Sequence, residues 1–157
     1  MEPEPAPGAR SGAPPGASSG VRPDASPEHV HLEETTPWVR RWLRAEGVVA
    51  FAWALVIWIL LEQPLPLLLV GLLLPDLSML GYLRGPHVGA VLYNTAHNWA
   101  TAGLVLLIAL IAQSGGLILV GTVLLGHVGI DRALGYGLKY PTAFQDTHLG
   151  RIGRRGR

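Results

Sequence analysis

The sequence predicts an all-α protein, a four-helix transmembrane bundle preceded by a disordered N-terminal tail. Three observations predict it. Hydrophobic residues make up 49% of the 157-residue chain and charged residues only 15%, against roughly 25% charged in soluble domains. Between Gly47 and Leu138 the charged residues are Glu62, Asp76, Arg84, Asp131 and Arg132 alone, too few to cover the outside of a body in water. Apolar runs of span length alternate with short breaks rich in Pro, Gly and Gln.

The tail occupies residues 1–36. It holds seven of the thirteen prolines and almost no large apolar side chain, so it cannot bury enough surface to offset its ordering entropy. It opens with Glu2 and Glu4 and has no apolar core before Val48, which is not the pattern of a signal peptide. His29 and His31 read as solvated linker histidines. Removal of this tail is expected to leave the bundle intact.

A helix needs about 20 apolar residues to cross the roughly 30 Å hydrocarbon layer. The first span runs from about Arg44 to Glu62, and Gln63, Pro64 and Pro66 break it. The second runs from about Leu65 to Leu83. A third starts at Pro86, a favoured first helical position, and continues to Ala112. Gln113, Ser114, Gly115 and Gly116 turn the chain, and the fourth span continues to about Leu138, where Gly135-Tyr136-Gly137 reads as its frayed end. The transmembrane domain is therefore 37–140, with a basic cytoplasmic segment at 141–157.

Orientation follows from the basic residues, which concentrate on cytoplasmic loops. Arg40, Arg41 and Arg44 precede the first span, Arg84 lies between the second and third, and Lys139, Arg151, Arg154, Arg155 and Arg157 follow the fourth. The first and third loops carry no Lys or Arg. The expectation is a multi-pass protein of the cell membrane with both termini cytoplasmic. Its expected partners are membrane lipid and further copies of itself. The net charge of +1 gives no reason to expect nucleic acid. The absence of cysteine excludes disulfides, thiolate metal sites and cysteine nucleophiles.

Within the spans stands a polar layer. A charge at the bilayer centre costs on the order of 2.5–3.5 kcal/mol on insertion scales, so such residues need a partner or a role. At 1.5 Å per helical residue, Asp76 lies about 12 Å from the cytoplasmic edge, His97 about 16 Å, His127 about 18 Å and Asp131 about 12 Å. His127 and Asp131 are four apart and share a helix face. Tyr93, Asn94 and His97 form a polar stripe on the third helix. Ser78 points away from Asp76, as a packing hydroxyl would. Pro75 cannot donate to the carbonyl of Gly71, which loosens the helix beside Asp76. Gly81, Gly85 and Gly89 have the small-xxx-small spacing of close helix approach.

Two imidazoles and two carboxylates at one depth predict a metal site with Asp76, His97, His127 and Asp131 as ligands. Zinc takes such nitrogen and oxygen donors, and manganese or magnesium accepts them with more water. Two other readings stay open: a structural network pairing Asp76 and Asp131 with Arg132 and the histidines, and a proton or solute pathway through a small oligomeric transporter. Asp146, Thr147 and His148 lie near the cytoplasmic mouth, and a solvated loop accounts for them.

Several stretches resemble a known family. Leu74-Pro75-Asp76-Leu77-Ser78-Met79-Leu80-Gly81-Tyr82, Tyr93-Asn94 with His97, His127 through Tyr140, and Asp146-Thr147-His148-Leu149-Gly150-Arg151-Ile152-Gly153 are similar to the bacterial membrane family of domain of unknown function 4260. The resemblance covers about residues 38 to 153 and implies a small multi-span membrane protein without an assigned activity. A more distant similarity is to membrane-bound metal-dependent hydrolases of the YdjM type. That similarity implies Asp76, His97, His127 and Asp131 as ligands, although the first span here contains no histidine. The leading expectation is metal-assisted hydrolysis of a lipid or another membrane-associated substrate.

Overall fold

The computed structural model describes residues 36–153. The tail assigned to 1–36, apart from Thr36, and Arg154, Arg155 and Arg157 lie outside the described residues. Among those described, helices dominate: α1 (Pro37–Leu60), α2 (Leu65–Gly71), a 3-10 helix (Pro75–Arg84), α3 (Pro86–Ala96), α4 (Trp99–Ile111) and α5 (Gly115–Leu134). Two short antiparallel strands follow, β1 (Asp146–Thr147) and β2 (Gly150–Arg151). Three helical stretches are long and apolar enough to cross a membrane, Pro37–Leu60, Leu65–Arg84 and Gly115–Leu134. α3 and α4 make a fourth if the pair, bent by 44°, counts as one span. Large apolar side chains cover the outside, with Leu60, Leu83 and Ile111 each more than three-quarters exposed. Such a surface suits lipid and would be a liability in water.

The helices meet at glycines. A Cβ on Gly47 would lie 2.6 Å from the carbonyl oxygen of Gly129, and one on Gly129 would lie 2.7 Å from the Phe51 nitrogen, so α1 and α5 touch backbone to backbone. Gly121 of α5 instead faces the Leu106 side chain of α4, 2.6 Å from a Cβ placed there. Gly81 of the 3-10 helix faces Gly89 and Leu92 of α3, whereas Gly85, with φ of 114°, forms the turn between them and packs against nothing. Trp58, Ala54, Val128, Ala102 and Ala109 fill the buried interior.

The structure corrects four sequence expectations. The span expected as one helix over 65–83 is α-helical only to Gly71 and becomes 3-10 from Pro75. Proline removes a donor there, and the Leu74 N–H, not an α-helical donor, takes the Gly71 carbonyl at 3.0 Å. At about 2.0 Å per 3-10 residue, Asp76 lies about 16 Å from Arg84, level with His97. The span expected over Pro86–Ala112 breaks at His97 and Asn98. Asn98 caps α4 by accepting from the Thr101 N–H at 2.8 Å, which starts a new helix axis. α5 ends at Leu134 rather than near Leu138. Its end is not frayed: Gly135 is left-handed, with Gly135 N–H on the Arg132 carbonyl and Tyr136 N–H on that of Asp131, at 3.0 and 2.8 Å, the two bonds of a Schellman cap.

Candidate metal centre

Each irregularity places one member of the polar layer. The turn after α2 leaves the Leu72 carbonyl outside the helix ladder, and His127 Nδ1 of α5 donates to it at 2.6 Å. His97 is the residue that ends α3, and its Nδ1 donates to the Tyr93 carbonyl at 2.9 Å. A carbonyl oxygen only accepts, so each neutral imidazole carries its proton on Nδ1 and a lone pair on Nε2. A hydrogen-bonded second nitrogen is how proteins orient metal-binding histidines.

Both Nε2 atoms point at the carboxylates. Asp76 Oδ1, on the first turn of the 3-10 helix, lies 3.3 Å from His97 Nε2 and 3.6 Å from His127 Nε2. Asp131 Oδ2 lies 3.9 and 3.8 Å from the same two atoms. Asp76, His97 and His127 together offer three ligand atoms within 4.8 Å of one another. His97 and His127 are buried, the Asp131 side chain is 13% exposed and that of Asp76 is 39% exposed. The imidazole rings meet edge to face at 4.7 Å. With protons on Nδ1, four electron-rich atoms converge, and His127 Nε2 is buried without a hydrogen bond. Such a cluster needs positive charge at its centre, either an added proton or a cation.

The surroundings hold the cluster rigidly. The Tyr93 hydroxyl donates to Asp131 Oδ2 at 3.0 Å, and its ring stacks on His97 at 3.7 Å. Arg132 does not pair with either aspartate, as the network reading would require. Its guanidinium donates to the carbonyls of His97, at 3.0 Å, and Tyr136. Among the described residues it makes no ion pair with a carboxylate. The reason is local: the break after His97 and the α5 cap leave two carbonyls without helical donors, and a buried guanidinium serves both.

Lys139 entered the sequence reading only as a marker of orientation. In the structure it is 4% exposed and stands beside the cluster. Asn94 clamps its backbone from both sides, Nδ2 donating to the Lys139 carbonyl at 2.8 Å and Oδ1 accepting its N–H at 2.7 Å. Its signal in the sequence is that it is the only lysine of the chain, a few residues past the last apolar span. A cavity of about 300 Å³ opens between the cluster and this segment.

The residues expected as a solvated loop pack instead against the segment after α5, with Tyr140 N–H on the Asp146 carbonyl and His148 N–H on that of Leu138. Thr147 is buried, Asp146 accepts from the Thr142 hydroxyl at 2.7 Å, and His148 Nδ1 accepts the Leu138 N–H at 2.8 Å. Burial, with the nearby Arg132 charge, holds the His148 imidazolium below the ordinary histidine range, against an opposing contact at the Leu138 backbone. A folded-state pKa below the unfolded value of about 6.5 means stability that is complete above that value and drains away as pH falls through it. The His148→Gln protein is therefore expected to show a shallower fall in melting temperature on acidification from about pH 7 to pH 5 than wild type. Parallel falls in the two proteins would contradict this.

A helical protein with span-length apolar helices and a buried His/Asp cluster is the class that fold and site define. The chain belongs to the family described as domain of unknown function DUF4260, whose model matches residues 40–152. No curated protein and no solved structure matches it.

Proposed function

We propose that this chain is a four-span membrane protein whose Asp76, His97, His127 and Asp131 hold a divalent cation for hydrolysis of a lipid or another membrane-associated substrate. One observation carries the reading: two histidines with Nδ1 on backbone carbonyls aim their Nε2 atoms at two carboxylates. An ion about 2.0–2.1 Å from each donor, at tetrahedral angles, keeps donors about 3.3–3.4 Å apart. The Asp76 contacts, at 3.3 and 3.6 Å, fit that spacing, and Asp131, at 3.9 and 3.8 Å, stands as a longer fourth ligand, so that the shell can open for a water or substrate oxygen. Two nitrogens and two oxygens favour zinc, with manganese and magnesium as the oxygen-preferring options. Such an ion supplies Lewis acidity toward a carbonyl or phosphoryl oxygen and activates water. The protein orients: Leu72 and Tyr93 carbonyls fix the two rings, and the Tyr93 hydroxyl fixes Asp131.

A second reading has its own support. Doubly protonated imidazoles facing two carboxylates within 4 Å form a neutral ion-pair network with no metal. Metal analysis of the detergent-purified full chain separates the two. A stoichiometric divalent ion is expected; a metal-free protein would leave the ion-pair network. A transporter of this size would need a homodimer lined by polar residues, and crosslinking in native membranes tests for one.

For topology, the proposal is that 37–140 crosses four times, with the α3–α4 pair as one bent span, and that both termini, including the basic segment 141–157, face the cytoplasm. Reporters fused after Arg157 and within Gln113–Gly116 should then report opposite sides, and the same side for both would refute it.

A further inference from the structure

The cavity beside the cluster contains a cation that the metal centre does not use. Its walls include Asp76, Met79, Tyr93, Asp131, Tyr136 and Lys139. Lys139 Nζ donates to the Phe144 carbonyl at 2.9 Å and sits over the rings of Phe144 and Tyr93, at 3.9 and 5.1 Å. An ammonium has three donors, and the carbonyl is its one hydrogen-bond acceptor among the described residues. No carboxylate of the described residues lies within 4.0 Å of it. A buried ammonium without a direct ion pair is costly, yet the Asn94 clamp on its backbone holds it there.

The charges of the completed site favour an anion. A divalent ion and two carboxylates sum to zero, and the Lys139 ammonium leaves a surplus of one positive charge facing the cavity. Arg132 is engaged by backbone carbonyls and does not compete for that anion.

We propose that this cavity binds a phosphate-type oxyanion, with one oxygen at the metal centre and another on Lys139. This rests on the metal reading of the preceding section. It narrows the substrate class to phosphoesters, because a phosphoryl group offers separate terminal oxygens to two cations. Lys139 is an anchoring residue for the anion and takes no part in ligating the metal. The oxyanion can arrive as a lipid headgroup or as free phosphate, and the same two cations recognise either.

Because Lys139 is the only lysine, its amine can be followed alone. Full-length protein in neutral detergent is loaded with zinc, and its metal content is measured in the same sample. Acetylation of Lys139 is then timed by mass spectrometry with dihexanoyl phosphatidic acid, inorganic phosphate or dihexanoylglycerol present. At ten times its Kd a bound anion occupies the site in all but about a tenth of the molecules, so acetylation should slow roughly tenfold. Protection by phosphatidic acid alone supports a lipid headgroup, protection by both anions supports the phosphate group itself, and neutral dihexanoylglycerol should protect in neither case. In calorimetry, Lys139→Met should keep its zinc and lose affinity for the protecting anion by at least tenfold. Zinc-loaded protein in which neither anion protects, or in which the neutral lipid protects equally, overturns the oxyanion site and leaves the metal centre standing. Protein that binds no zinc overturns both, and the metal measurement tells these failures apart.

Discussion

His127→Ala protein should purify without metal, and its melting temperature should no longer respond to a chelator. The ring makes two connections, Nδ1 to the Leu72 carbonyl and Nε2 toward both aspartates, so its loss removes a proposed ligand and the anchor of the turn after α2. Under the metal reading, an ion bound to wild type stabilises the folded state by mass action, about 4 kcal/mol when free metal is a thousandfold above Kd. Chelation should therefore lower the wild-type melting temperature markedly and leave that of His127→Ala unchanged. If the cluster is an imidazolium–carboxylate network instead, chelator does nothing to either protein, while His127→Ala loses about 3–5 kcal/mol from an uncompensated buried carboxylate. The Asp131→Ala/Arg132→Ala pair adds a further distinction. A rescue was to be expected had Arg132 paired with Asp131. Its bonds to the His97 and Tyr136 carbonyls instead make the double variant less stable than Asp131→Ala alone. A chelator-insensitive, metal-free wild type would end the metal reading.

Gly129→Ala should be strongly damaging for a single added methyl. The new Cβ would lie 2.7 Å from the Phe51 nitrogen and 2.9 Å from the Gly47 carbonyl oxygen. Both neighbours are backbone, so no rotamer change relieves the clash and α1 must withdraw from α5. Overpacking of this kind costs about 1–3 kcal/mol or more. Gly129 also lies between His127 and Asp131 on α5, so the separation of the helices should disturb the cluster and reduce metal content. Gly47→Ala, pressed against the Ala133 nitrogen and the Gly129 oxygen, should behave alike. Gly103→Ala supplies the contrast: nothing lies within 4 Å of a Cβ there, and a helical Gly→Ala change is stabilising by roughly 0.5–1 kcal/mol. Melting temperatures in one detergent decide the matter. Equal values for Gly129→Ala and Gly103→Ala would mean that α1 and α5 do not touch as described.

The scarcity of charge between Gly47 and Leu138 makes the apolar helices legible from sequence, because apolar length is read without knowing any contact. The polar layer is legible for the same reason: Asp76, His97, His127 and Asp131 stand out against leucine and valine. What the sequence does not disclose is the way the backbone bends to bring them together. The break at His97–Asn98 contains neither Pro nor Gly and depends on an asparagine capping its own successor helix. Nor does the choice of partner for Arg132 follow from charge, since two uncapped carbonyls outbid two carboxylates. Lys139 escapes notice because the residue that clamps its backbone, Asn94, is 45 positions away.

The 3-10 helix divides its own side chains by threes, since residues i and i+3 eclipse. Asp76 and Met79 look into the cavity, and Tyr82, next in that column, stacks edge-on against Phe144 at 5.2 Å. Leu77, Leu80 and Leu83 are all at least 60% exposed and form a column facing outward. Pro75, Ser78 and Gly81 turn inward, with Gly81 against α3. The stretch is thus a three-sided prism with one environment on each side. Natural drift among relatives should be sorted by that prism: free exchange of aliphatics in the second column, small residues alone in the third, and near-fixity in the first.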